Sequence, residues 1–314
     1  MKKIITLKNV SKVYPGKGGK SINAISDISF SIYEGEVVGL LGPNGAGKST
    51  IIKMICGLTI PEFGDIIYNQ SDRNISNISL GVVLEGNRNL YWNMTVMENI
   101  RFILALHKEK SNKKKEKIKY FLDEFNLSDK KNELVSNLSR GMQQKTAIMI
   151  SFLLDTDLLL LDEPTLGLDV QSKIDMKDFL LKISEEYHKT ILISSHDMRF
   201  IDEVCARVII LNKGKIITDN SIINLKEYYK INIYEINYIV DEKSNIKFLE
   251  ELVKDKSIVK HDRILNKVFI NDVSGDCLEE IIVSLRDNYI QIIGVNSKEV
   301  EMEDIFLKLV EDEV

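Results

Sequence analysis

The segment Gly42-Pro43-Asn44-Gly45-Ala46-Gly47-Lys48-Ser49-Thr50 puts a lysine and a hydroxyl directly after a glycine-rich turn. Its G-x4-G-K-S spacing falls between an apolar run, Val37 to Leu41, and a helix-like stretch, Lys48 to Cys56. A strand that ends in such a turn and continues as a helix aims several backbone N–H groups at one point, where the helix dipole adds partial positive charge. A triphosphate suits that point. Lys48 can reach the β- and γ-phosphates, and the Ser49 hydroxyl is placed for Mg²⁺.

Two further acids, Asp162 and Glu163, follow four leucines, Leu158 to Leu161. Such a run suits a strand buried on both faces of a mostly parallel sheet, with ligands at its carboxyl end. Adjacent carboxylates there need a cation or water beside them, and Mg²⁺ on Asp162 with a water on Glu163 meets that need. His196 closes another buried run, Ile191 to Ser194, at the same sheet edge; a γ-phosphate contact is the favoured reading over a purely structural imidazole. Glu85, at the end of Leu80 to Leu84, could touch the metal or its water, or be a solvated charge. Tyr14 could stack on a purine or be only a strand-end aromatic. Ser139 can cap the helix that begins at Leu138-Ser-Arg-Gly-Met142. Gly141 in its first turn has no evident packing reason, which suggests N–H groups left open for a ligand.

These residues need a framework. Short strands are expected at Ile4 to Val10, Ala24 to Ile32 and Val37 to Leu41, with turns at Pro15 to Gly19 and Glu34-Gly35. The first helix ends at Gly57 before Pro61. A strand over Ile66 to Tyr68 and a loop, Gly86 to Asn93, carrying Tyr91 and Trp92, precede a helical region. There Thr95-Val-Met-Glu98 is a capping box, residues 114 to 125 are amphipathic, and the lysine run 113–119 reads as a solvated face. A helix bearing Met176, Phe179, Leu180, Ile183 and Tyr187 follows Thr165-Leu-Gly-Leu-Asp169. Asn212-Lys-Gly214 signals a three-residue hairpin loop; as Lys215 stands where a guanine-reading motif has Asp, guanine specificity has no support. From 226 to 314 the pattern runs strand (Ile231 to Val240), helix (Asn245 to Lys254), strands (Ser257 to Ile270), helix (Cys277 to Arg286), strand (Tyr289 to Val295) and a final helix with Ile305, Phe306 and Leu309. That order suits a small ferredoxin-like α+β sandwich.

The 314 residues fit two domains, 1–225 and 226–314, with a helical subdomain at about 88–155. A net charge of −5 argues against a nucleic-acid partner. Cys56, Cys205 and Cys277 form no pair of the spacing that zinc needs, and His107, His188 and His261 form no ligand cluster. The start lacks a signal-like apolar stretch, and no apolar run approaches the ~20 residues of a membrane helix, so any membrane role is expected to come through a partner.

Taken together, residues 4 to about 225 resemble the ATPase subunit of an ATP-binding cassette transporter, on Tyr14, the phosphate loop, Leu138 to Met142, Asp162-Glu163, Asp169 and His196 in that order. The resemblance implies a P-loop NTPase cassette of α/β class: a mixed sheet core, an antiparallel β subdomain and a helical subdomain. It also implies ATP as substrate with Mg²⁺, the latter held by Ser49, Asp162 and Glu85. Asp169 takes the position of the family's D-loop acid. Two such domains pair head to tail in the family, so Ser139, Arg140, Gly141 and Met142 would face a partner's nucleotide, the partner being a second copy or a paralogue. An integral-membrane permease would be the driven subunit, placing the chain peripherally on the inner face of the cell membrane. The pattern is closer to exporters of drugs, antibiotics and lantibiotics; an importer subunit, or a soluble cassette ATPase acting on ribosomes or DNA, are the alternatives. Three residues depart from the usual family pattern: Arg140 and Met142, at the third and fifth positions of Leu-Ser-Gly-Gly-Gln, and Glu85 in place of Gln.

Overall fold

The computed structural model describes residues 2–16, 20–68, 78–86, 89–229, 232–240, 260–262, 266–272, 276–298 and 301–311. The chain forms two compact units, residues 1–222 and Ile223–Glu311.

In the first unit, β1 (Lys3–Pro15), β2 (Ser21–Tyr33) and β4 (Phe63–Tyr68) make a three-stranded antiparallel sheet in the order β2-β1-β4. β1 and β2 are longer than their alternation of polar and apolar residues predicts. The pairing register shifts three times between Leu7 and Val13, with Asn9 at φ 49° and Asp27 at φ 51°, and each shift breaks the period of two. The main sheet runs β5 (Leu80–Val83), β6 (Leu158–Asp162), β7 (Thr190–Ser195), β3 (Val37–Leu41), β8 (Arg207–Asn212), β9 (Lys215–Ser221). Its first five strands are parallel and β9 is antiparallel to β8. Leu158, Leu159, Leu160 and Leu161 are all buried, as a strand covered on both faces requires. Each such leucine contributes about 1.5–3 kcal/mol of burial. The β8–β9 loop has two residues, not three: Asn212 pairs with Lys215, while Lys213 (φ 46°) and Gly214 (φ 79°) form a turn of the primed hairpin kind.

Helix α1 (Lys48–Ile55) follows β3, and the helical region comprises α2 (Val96–Leu106), α3 (Lys115–Glu124) and α4 (Arg140–Leu153). Thr95 and Glu98 form the capping box: Oγ1 of Thr95 accepts from the Glu98 N–H, and Oε2 of Glu98 accepts from the Thr95 N–H at 2.8 Å. Phe121 of α3 meets Phe152 of α4 edge-on with ring centres 4.9 Å apart, and the ring centre of Phe125 lies 3.7 Å from that of Phe179 in α5 (Val170–Tyr187), which packs the helical region against α5. The lysine run is not wholly a wet face. Lys114 and Lys117 both pair with Asp155 just past α4, and Lys114 also donates to Leu153 O; Lys113, Lys115 and Lys119 are exposed. α6 (Met198–Val204) covers β3, with Ile201 and Cys205 filling the space beside Gly39.

The second unit contains a four-stranded antiparallel sheet in the order β11 (Lys260–Asp262), β12 (Lys267–Asp272), β10 (Asn232–Ile239), β13 (Gln291–Lys298). Helix Asp276–Asp287 packs Ile281 and Leu285 on Ile236, Tyr238, Val268 and Ile270. This is the ferredoxin-like arrangement expected from the element order; the expected helix at 245–254 lies outside the described residues, as do Ile231 and Ser257 to Val259. The final helix, Met302–Glu311, buries Met302, Ile305 and Phe306.

Candidate functional site

The turn from Gly42 to Gly47 joins β3 to α1 at the carboxyl end of the parallel strands. Gly47 adopts φ 108°, and a methyl group there would fall 2.4 Å from Ile25 Cδ1 and 2.7 Å from Ala24 O, so only glycine fits. As the helix N-cap it supplies no side chain, leaving the first-turn N–H groups without an intrahelical partner. The Gly214 N–H donates to Ala46 O at 3.1 Å, so the β8–β9 turn braces the loop from behind. Lys48 is buried. Its Nζ donates to Gly42 O at 2.7 Å and to Pro43 O at 3.3 Å, and lies 3.3 Å from Glu163 Oε1.

Next to this loop, β6 presents its two acids. Asp162 Oδ1 accepts from Ser49 Oγ at 3.0 Å and from Ser194 Oγ at 2.5 Å. Glu163 sits at φ 50°, a left-handed conformation that an L side chain before proline rarely adopts, and it is held there by the sheet: its N–H donates to Ser194 O at 3.0 Å and to Ser194 Oγ at 3.1 Å. Glu163 Oε2 lies 2.8 Å from His196 Nδ1, so its carboxylate bridges a lysine and a histidine. Sequence reading passed over Ser194. It faces Asp162 across the β6–β7 ladder and serves both acids, but only the strand register places it there. Ser194→Ala is expected to cost about 1–2 kcal/mol, the price of unpairing a buried carboxylate from a hydroxyl. Thermal unfolding should report this as a loss of about 2–4 °C per kcal/mol for a unit of this size, and an unchanged melting temperature would remove the role.

One depression gathers Asn44 to Thr50, Glu85, Glu163, Leu166 and His196 with Ile22 to Ala24 of β2. Glu85 is exposed, just after β5, where Asn89 closes the loop by accepting from Leu84 N–H and donating to Leu84 O. Tyr14 pairs with Ile22 but lines a neighbouring depression with Pro15, Lys20 and Phe63, and Lys12 Nζ stands 5.4 Å from its ring centre. The Ser49 hydroxyl and the Asp162 carboxylate are hard oxygen donors suited to Mg²⁺. No group of three or more His, Cys, Asp or Glu is close enough among the described residues to cage a metal.

The Ser139 to Met142 segment lies outside this depression. Ser139 caps α4 by accepting from the Met142 N–H at 3.3 Å, and both Ser139 and Arg140 are exposed. Gly141 does have a packing reason, contrary to the sequence reading: a methyl group there would fall 2.6 Å from Ser172 Oγ and 3.0 Å from its Cβ. Ser172 in turn donates to Asp169, its N–H to Oδ1 at 2.8 Å and its hydroxyl to Oδ2 at 2.9 Å. These bonds hold the Asp169 carboxyl below its usual pKa and make Asp169 the N-cap of α5. Asn99, also unremarked in the sequence, is buried and fixes the loop bearing exposed Tyr91 and Trp92. Its amide donates to Tyr91 O and Thr95 O, and its Oδ1 accepts from the Tyr91 N–H.

A glycine-rich anion loop, paired acids at the carboxyl ends of parallel strands and a helical insertion between them define a P-loop NTPase cassette. Residues 25–166 match the family described as ABC transporter. Across 232 residues the chain is 33% identical to "Methionine import ATP-binding protein MetN 1" of Bacillus thuringiensis subsp. konkukian, covering 71% of this chain and 67% of that one. It is 35% identical to "ABC transporter ATP-binding protein NatA" of Bacillus subtilis, over 75% of this chain and 96% of NatA. It is also 35% identical to "SkfA peptide export ATP-binding protein SkfE" of Bacillus subtilis, over 69% and 88%. Among solved structures, the dimeric bacterial ABC transporter cassette MJ0796 superposes with a TM-score of 0.61 at 27% identity, over 69% of this chain and 98% of MJ0796. The chain belongs to the ABC transporter family and is an ATP-binding, ATP-hydrolysing subunit of such a transporter.

Proposed function

We propose that this subunit hydrolyses ATP in a site shared by two cassettes and so drives export through a separate membrane permease. The observation that carries the reading is Glu163, a buried carboxylate held between Lys48 and His196 and adjoining the Asp162–Ser49 pair. Lys48 and the Gly42 to Thr50 N–H groups hold the phosphates, competing with Glu163 for the lysine and leaving that carboxylate to orient water and take its proton. His196 steadies both Glu163 and the γ-phosphate, and Tyr14 offers a face to the base. Ser49, Asp162 and Glu85 would hold Mg²⁺, which neutralises charge on the phosphate oxygens.

Ser139 and Gly141, outside their own phosphate depression, serve the nucleotide of a second cassette, a copy or a paralogue; the dimeric state of MJ0796 supports this. Loss of the bridging γ-phosphate lets the pair part, and the opening is passed to the permease through the loop that exposes Tyr91 and Trp92. Membrane attachment on the inner face runs through that partner; no helix among the described residues is long and apolar enough to cross a membrane. Export is favoured by SkfE, whose name states peptide export and whose length is mostly matched; the MetN relatives, named for methionine import, support the importer reading. Recovery of a polytopic protein with the tagged chain, followed by ATP-driven flux in inverted vesicles, tests both. Inward accumulation in intact cells, with no efflux, would overturn export.

Glu85→Gln is expected to raise the Mg²⁺ concentration for half-maximal turnover several-fold, since one anionic oxygen donor becomes neutral, while leaving ATP affinity nearly constant. An unaltered Mg²⁺ titration would remove Glu85 from the metal's surroundings.

A further inference from the structure

We propose that Arg140 is a positioning residue acting within its own protomer: it braces the turn that joins Glu163 to Asp169, while its neighbours Ser139 and Gly141 serve the partner's nucleotide. The contact is with Gly167. A methyl group built on Gly167 would fall 2.4 Å from Arg140 Nη1, 2.8 Å from its guanidinium carbon and 3.2 Å from Nε, so the planar cation lies against the glycine backbone. Gly167 has φ 72°, and the turn around it is tight: the Leu166 N–H donates to Glu163 O at 3.1 Å and the Leu168 N–H to Thr165 O at 3.2 Å. A displacement of Gly167 therefore reaches Glu163 through only a few bonds.

Three further observations make this a built contact. Arg140 lines one cavity with Glu85, Glu163, Leu166 and Leu168, and its side chain makes no hydrogen bond or ion pair with another described residue that would draw it away from Gly167. One residue on, Gly141 abuts Ser172, which is bonded to Asp169, so the tip of α4 meets this loop at both ends. Deeper in α4, buried Lys145 pairs with Asp175 of α5 at 2.5 Å, and Gln171 bonds the same carboxylate. The tip of α4 and the start of α5 thus move together. Engagement of Ser139 and Gly141 by a partner's nucleotide would be felt at the Glu163 of the same chain, linking the two shared sites. This last step rests on the paired-cassette reading above.

The test measures steady-state ATPase of the full chain in Arg140→Gly, Arg140→Lys, Gly167→Ala and the Arg140→Gly/Gly167→Ala double variant, with melting temperatures as the check on folding. Arg140→Gly is expected to lower kcat roughly tenfold, to leave KM for ATP within about twofold and to bring the Hill coefficient for ATP towards one. Arg140→Lys should not rescue, because an ammonium cannot lie flat on the turn. The effect of Gly167→Ala should be smaller in the Arg140→Gly background than in the wild type; backbone strain at φ 72° is common to both backgrounds and cancels in the cycle. Unchanged kcat and Hill coefficient, full rescue by lysine, or strict additivity would each overturn the proposal. So would loss of ATP-dependent dimerisation on introducing Arg140→Gly into a Glu163→Gln chain, which would assign the arginine to the interface. Undiminished hydrolysis by Glu163→Gln alone would instead overturn the site assignment on which the proposal stands.

Discussion

Glu163→Gln is expected to leave ATP binding intact and to lower steady-state hydrolysis by about 10²–10⁴-fold, the range for removal of a positioned general base. The amide is nearly isosteric with the carboxylate. It can still donate to or accept from His196, and the backbone bonds from Glu163 N–H to Ser194, which set the residue's strained conformation, do not involve the side chain. What the change removes is the proton acceptor and one negative charge 3.3 Å from Lys48 Nζ. With less competition for Lys48, nucleotide affinity should hold or rise, and the ATP-bound pair should accumulate because the bridging γ-phosphate persists. Equilibrium binding of a fluorescent ATP analogue, single-turnover hydrolysis and size-exclusion with light scattering separate these effects. Turnover at the wild-type rate would remove Glu163 as the base.

Lys48→Ala carries the second largest expected effect and acts at the opposite step. Lys48 is buried, so truncation deletes the cation for the β- and γ-phosphates and leaves Glu163 paired with His196 alone among the described residues. A charge-assisted hydrogen bond contributes about 1.5–3 kcal/mol, so ATP affinity should fall by roughly 10–150-fold. Hydrolysis at saturating ATP should fall as well, since the transition-state charge on the phosphoryl group meets the same missing cation. Arg140→Gly moves kcat and spares KM, whereas Lys48→Ala moves both, so the two substitutions are distinguishable in one kinetic series. An alanine variant that binds ATP as the wild type does would contradict the role of the lysine.

Much of the site was legible in the sequence because anion binding by a loop and helix is contiguous chemistry. Gly42 to Thr50 must follow one another in the chain, and an apolar run ending in Asp-Glu already implies a buried strand with acids at a ligand-bearing edge. What escaped is what depends on register. Ser194 looks like any polar strand end until Asp162 is paired with it across two parallel strands. Gly141 seemed to lack a packing reason because Ser172, on another helix, supplies it. Local signals fared similarly. The Thr95–Glu98 capping box lies within four residues and was readable, whereas the full length of β1 was hidden by register shifts that scramble its alternation. The lysine run misled in part because Asp155, which gathers Lys114 and Lys117, stands some forty residues downstream.

The central claim is that hydrolysis belongs to a pair of cassettes, with the phosphate loop of one facing Ser139 and Gly141 at the α4 tip of the other. Specific ATPase activity measured against protein concentration, with oligomeric state followed by light scattering in the same samples, tests this most directly. The account predicts that activity per protomer climbs with concentration and levels off as the ATP-bound dimer saturates. Full specific activity at dilutions where the scattering mass is that of a single 35.9 kDa chain would contradict it.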